Sequence, residues 1–249
     1  MSLWRWLWLL LALGQGIAQG AVSLTGTRLI FDGRFREATI DVSNLDEREV
    51  LIQAWISDPQ VASSADLPFA LTPHLARLPA KGKQPLRLLY EGVGMPGSRE
   101  SLLHLYVLEV PRRHEGAQQL NIAIRQRINV FYRPAGLPGD PAEAAQRLNW
   151  RIERGGESRL VLHNPTPFHV VLQGLTLDGV RVAEDLLVEP LSQRSLPLVQ
   201  AHRDGQRHLT FKALTDYGGQ RDYCAQGQGE RSFNAQLRAP DAPSYIGKC

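Results

Sequence analysis

Cysteine is scarce in this chain, and the arrangements that cysteine and histidine chemistry require are missing with it. Two cysteines, Cys224 and Cys249, occur in 249 residues, which excludes a multi-cysteine zinc site by count. The seven histidines are scattered and read as solvated or structural side chains. HExxH, GxSxG, a P-loop and a GxGxxG following a strand are all absent. Neighbouring carboxylates such as Glu184 and Asp185 would point to opposite faces of an extended strand, so they read as loop charges. No enzyme, metal site or cofactor is expected. An excess of charge is lacking too: 28 basic side chains against 25 acidic ones, with no basic block, argue against a nucleic-acid partner.

Long apolar runs are also missing, apart from one at the N-terminus. Residues 1–20, MSLWRWLWLLLALGQGIAQG, carry Arg5, an apolar stretch from Trp6 to Leu13 and a small-residue exit at Ala18 and Gly20. This is the pattern of a cleaved secretory signal peptide. A membrane span needs about 20 predominantly apolar residues, so no membrane insertion is expected and the mature chain is read as soluble and exported. In an oxidising compartment, Cys224 and Cys249 are expected to pair as a structural disulfide.

The chain is rich in short alternating segments. ATIDV from Ala38, LIQAWI from Leu51 and LNIAIRQRINV from Leu120 alternate with period two, and further apolar runs begin at Leu103, Arg159, His169 and His208. Turn pairs such as Asp32-Gly33, Gly155-Gly156 and Asp178-Gly179 separate them. This punctuation indicates an all-β chain built from β-sandwiches. DPAEAAQRLNW alone has a helical look, with Asp140 as cap and Pro141 at the first position. The Pro/Gly stretch RPAGLPG marks a boundary, so two immunoglobulin-like domains are expected, over residues 21–136 and 137–249. Trp55 and Trp150 lie in core-like patterns.

AVSLTGTRLIFDGRFREATIDVSN, QAWI, SRESLLHLYVLEVP, LNIAIRQRINVFYRP, NPTPF and TDYGG follow one another from Ala21 to about Cys224. In order and spacing this set resembles the PapD-like periplasmic pilus chaperones. The resemblance implies two immunoglobulin-like domains set in an L with a cleft between them. It also implies a non-covalent activity: a strand of the chaperone fills the open groove of a pilus subunit, which is a form of β-augmentation. Here that donor strand would present Leu120, Ile122 and Ile124 on one face. Their full burial would contribute roughly 5–9 kcal/mol before entropy costs. Periodicity alone equally allows these side chains to belong to the chain's own core, as is expected of Ile128 and Val130.

The resemblance further implies that two cations anchor the subunit's C-terminal carboxylate. The first matches Arg28, whereas the second, a lysine in the family, falls on Asn129. Asn129 can donate as a neutral amide, more weakly than a charged group. Arg127 is either a helper or an exposed strand charge. A separate trio, Glu100, Arg133 and Asp216, corresponds by the same resemblance to the family's interdomain charge network. The short segment PRRHEGAQQ before the donor strand implies the short-loop class. Expected partners are pilus subunits including an adhesin, an outer-membrane usher and, when the chain is free, a second copy in a self-capping homodimer. Rival readings are a β-sandwich adhesin or carbohydrate-binding module, an enzyme on the same scaffold, and a chaperone fold with an atypical client.

Overall fold

A computed structural model describes residues 22–60, 67–111, 122–198, 205–238 and 249. The expected signal peptide, Leu120, and the PRRHEGAQQ segment beyond its first residue lie outside the described residues. Among those described, no helix is long and apolar enough to cross a membrane.

The N-terminal half folds as strands β1 (Val22–Leu24), β2 (Arg28–Asp32), β3 (Glu37–Asn44), β4 (Val50–Ser57), β5 (Phe69–Thr72), β6 (Leu75–Leu78), β7 (Lys83–Tyr90), β8 (Ser101–Pro111) and β9 (Ile124–Arg133). They form two sheets, ordered β1-β3-β7-β5 and β2-β9-β8-β4-β6. The alternation seen in the sequence is what packs them. Ile52, Ala54 and Ile56 of β4, Leu103, Leu105 and Val107 of β8, and Ile128 and Val130 of β9 all turn inward to one core. The residues between them face outward, as a half-buried pleated sheet requires.

The C-terminal half repeats the plan with β10 (Asn149–Glu153), β11 (Arg159–Asn164), β12 (Val170–Leu177), β13 (Val180–Val188), β14 (Ser192–Pro197), β15 (Gln206–Leu214), β16 (Gln220–Gln228), β17 (Phe233–Asn234) and β18 (Gln236–Leu237). Its sheets run β14-β11-β10-β17 and β13-β12-β15-β16-β18. They close over a second core that includes Trp150, Leu172, Phe211 and Tyr223. Cys224 on β16 is bonded to Cys249, their Cα atoms 5.6 Å apart.

Three local expectations are corrected. DPAEAAQRLNW makes only a 3-10 turn, Pro141–Glu143, capped by Asp140, whose Oδ1 accepts the Ala142 N–H at 2.8 Å. The segment then turns into β10, because Leu148 and Trp150 are drawn into the core. Tertiary burial outweighs local helix propensity here. Glu184 and Asp185 lie on β13 rather than in a loop, with Glu184 paired to Arg181 and Asp185 accepting from Gln173 at 2.9 Å. Trp55 is not a core residue: it sits on the outward face of β4, stacked on Tyr106 with ring centroids 5.2 Å apart and planes 9° from parallel.

Candidate functional site

The strand that ends in FYRP holds the key geometry. β9 pairs with β8 along its described length, from Ile124 opposite Glu109 to Tyr132 opposite Ser101. On its other side it pairs with β2 in parallel, but only from Asn129 to Arg133. The edge of β9 from Ile124 to Ile128 therefore lies outside any described strand pairing on that side. Such an edge offers a row of backbone donors and acceptors for another strand.

The core-facing side chains of β9 change character along this same length. Val130 and Ile128 are buried in the N-terminal core. At Gln126 the core closes, since the Gln126 amide donates to the Val22 carbonyl at 2.7 Å, and the buried Glu109 carboxylate accepts the Val22 N–H at 3.1 Å. Beyond this polar clasp the same face continues with Ile124 at the start of β9, 36% exposed, and Ile122 lies two residues before the strand, 60% exposed. Two branched apolar side chains thus lie exposed past the point where the core stops.

The opposite face of β9 belongs to the wall of a cleft between the two halves. Arg28, Ile30, Phe131 and Arg133 line it from the N-terminal side, and His169, Val171, Asp216 and Tyr217 from the C-terminal side, around a cavity of about 260 Å³. Register arranges the N-terminal wall in rows. Ile30, Phe131 and Leu102 form one row, and Arg28, Asn129 and His104 the next. Arg127, Tyr106 and Trp55 form the third, with Arg125 stacked over the Tyr106 ring at 5.5 Å.

Arg28 and Arg133 are the cations that line this wall, and Arg28 is the one in the row of Asn129. Its Nε is buried and finds no hydrogen-bond acceptor among the described residues. Burial lowers the guanidinium pKa below its ordinary value, while Asp216 across the cleft acts the other way. A buried donor without an acceptor is costly, so an anionic group entering the cleft would relieve that cost. Asn129 lies directly beside Arg28, and Arg127 one row away on an exposed part of the strand.

At the junction, Arg133 joins the remaining sequence candidates. Its Nε donates to Glu100 Oε1 at 2.6 Å, and its two terminal nitrogens grip Asp216 at 2.7 and 3.0 Å. Burial acts to lower the Arg133 pKa, but the hydrogen bonds to Asp216 and the fields of both carboxylates raise it above the ordinary value. Sequence reasoning missed the fourth member. His169 donates its backbone N–H to Glu100 Oε2 at 2.7 Å, places its Nδ1 3.3 Å from the same oxygen, and packs on Phe131 with centroids 5.1 Å apart.

The NPTPF motif explains how His169 gets there. Asn164 is fully buried and fully occupied: its amide donates to the carbonyls of Phe168 and Glu189 at 2.8 and 2.9 Å, and its Oδ1 accepts both the N–H and the hydroxyl of Thr166. The turn it fixes presents the Pro167 carbonyl to the Glu100 N–H at 2.9 Å and sets the Phe168 ring beneath Arg133 at 5.4 Å. On the other side, Gly33 donates to the Arg133 carbonyl at 2.7 Å. A Cβ at Gly33 would lie 2.8 Å from that carbonyl oxygen, so glycine is required by close approach.

Residues 21–138 match the family model described as pili and flagellar-assembly chaperone, PapD N-terminal domain, and residues 143–225 match pili assembly chaperone PapD, C-terminal domain. The chaperone protein FimB/FhaD of Bordetella pertussis is 37% identical over 222 residues, covering 84% of this chain and 88% of its own. The probable fimbrial chaperone LpfB of Escherichia coli O157:H7 is 39% identical over 212 residues, covering 84% and 89%. Among solved structures, the YadV chaperone superposes with a TM-score of 0.71 at 27% identity, over 84% of this chain and all of the other. The SafB chaperone, solved in complex with the SafA pilin of Salmonella enterica, gives 0.70 at 28% identity over 90% and 99%. With both domain models matched in order along one chain, this protein belongs to the PapD family of pilus-assembly chaperones.

Proposed function

We propose that this chain works in the periplasm by lending the leading end of β9 to incomplete pilus subunits, tip adhesins included, and that it passes them to an outer-membrane usher. The observation that carries the reading is the exposure of Ile122 and Ile124 past the polar clasp at Gln126, at the leading end of a strand whose edge lies outside described pairing there. A subunit lacking one strand could pair with that edge and bury both isoleucines. Each would contribute about 1.5–3 kcal/mol, and the main-chain bonds would set the register. The unpartnered Arg28 Nε at the cleft supports the second half of the reading, in which Arg28 and Asn129 hold the subunit's terminal carboxylate with Arg127 as helper. Glu100, Arg133 and Asp216 would fix the angle of the two domains around it. The solved complex of a similar chaperone with its pilin supports the partner, and similarity to the periplasmic chaperone SfaE supports the compartment. The same open edge fits a second copy of the chain, giving a self-capped homodimer when no client is present.

The test is periplasmic co-expression with a panel of pilus subunits, scored as soluble co-purified complex. Wild type is expected to capture at least one subunit, and Ile122→Asp and Arg28→Ala to lose it while remaining folded. Capture that survives both substitutions would overturn the proposal. Sedimentation of the client-free chain across a concentration series checks the homodimer.

A further inference from the structure

Where the resemblance implies a second anchoring cation this chain carries Asn129, and strand register places a titratable side chain directly opposite it. His104 on β8 lies directly opposite Asn129 on β9, and Asn129 lies directly opposite Arg28 on β2. In an antiparallel pair, directly opposite residues on one face hold their Cβ atoms about 4.5–5.5 Å apart, and neighbouring strands of either sense run about 4.7–4.9 Å apart. The three side chains therefore form one row across adjacent strands, on the face whose neighbouring row, Ile30 and Phe131, lines the cleft. The His104 ring is partly buried and meets Tyr106 of the next row edge to face at 6.1 Å. Arg127 lies in the next row along the strand, opposite Tyr106.

We propose that His104 supplies the second charged donor to the client's terminal carboxylate, so that Arg28 and imidazolium flank it with the Asn129 amide between them. This rests on the carboxylate-anchor reading above and adds to it a residue and a condition. Lysine would hold its charge throughout the physiological range, whereas histidine changes charge within it. Client capture by this chain is then coupled to pH.

The charged groups around His104 set the direction of that coupling. Arg127 on β9 and Asp58 just after β4 act on it, Arg28 lies two strands away, and Tyr106 is its neighbour on β8. In the free chain burial is the larger influence and Arg127 the next, and both hold His104 below its usual value against the pull of Asp58. A bound carboxylate favours imidazolium and raises that value. The contribution to capture is therefore full at pH below the free-chain value and is lost as pH rises through the client-bound one.

The experiment uses the full chain and the subunit recovered in the co-expression test, with affinity measured between about pH 5.5 and about pH 8. Wild type is expected to weaken roughly ten- to hundredfold across that range, the size of a charge-assisted hydrogen bond. His104→Phe should be weak and flat with pH. Adding Asn129→Lys to His104→Phe should restore tight, pH-independent capture, a rescue that a merely structural role for His104 would not give. If no subunit is captured at any pH, or if Arg28→Ala binds like wild type, the anchor reading falls and this inference falls with it. If Arg28→Ala abolishes capture but His104→Phe keeps the wild-type affinity and pH profile, this inference alone is overturned.

Discussion

At the scale of single residues, the strongest dependence is on the bridge through Arg133. Glu100 is buried with a 2% exposed side chain, and Arg133 is its charged partner together with the His169 contacts. Removing one member of a buried pair leaves the other uncompensated, which costs about 3–5 kcal/mol. Arg133→Ala is therefore expected to lower the urea midpoint strongly. Arg133→Lys should recover only part of the loss, because a point charge cannot serve two carboxylates as a planar fork does. Tyr132 carries a separate prediction. Burial first, and its hydrogen bond with Tyr90 second, push its phenol up to about 12. Its contribution is full below the ordinary value of about 10 and is lost as pH rises from there towards the folded value. Thermal melts at rising alkaline pH should show this decline in wild type and a flatter one in Tyr132→Phe. The trio Glu100, Arg133 and Asp216 was legible in the sequence because each sits in a recognisable phrase. His169 and His104 were not. A scattered histidine carries no periodic signal, and only strand register and the Asn164-centred turn bring these two beside charged neighbours.

At the scale of the element, β9 is one strand with two environments. Its inner half belongs to the chain's own core, and its leading half runs on past the Gln126 clasp. Stability and capture should therefore separate along it. Ile128→Ala is expected to destabilise the N-terminal domain by about 2–5 kcal/mol, as for large-to-small core changes. Ile122→Ala should leave stability within about 0.5 kcal/mol, as for surface changes, yet weaken subunit capture. Parallel urea titrations and co-purification yields check both, and similar losses of stability at the two positions would refute the division. The sequence shows LNIAIRQRINV as a single uninterrupted alternation, so it cannot mark where the core stops. That point is set by contacts from far along the chain, Val22 and Glu109.

At the scale of the whole molecule, two separate cores meet at a charged junction. The disulfide closes a span of 25 residues within the C-terminal half. On the chain-entropy model a cross-link of this kind is worth about 2–4 kcal/mol. Reduction, or Cys249→Ser, is therefore expected to lower the C-terminal unfolding transition in calorimetry while leaving the N-terminal one near its wild-type position. A uniform shift of both transitions would mean that the junction couples the two sandwiches into one cooperative unit.

The amino-acid sequence by itself determined the all-β class, the two-sandwich plan, the pairing of its two cysteines and the family, because period-two burial, turn pairs and short motifs are local signals. It failed at DPAEAAQRLNW, where good local helix signals lost to the burial of Leu148 and Trp150, and at Trp55, whose pattern read as core but whose face is outward. Only the tertiary structure decided which of two equivalent-looking apolar pairs, Ile122 with Ile124 or Ile128 with Val130, stays exposed, which histidine stands beside Asn129, and which one seals Glu100. Those outcomes depend on register between strands and on where a core closes, and both are set by contacts between residues distant in the chain.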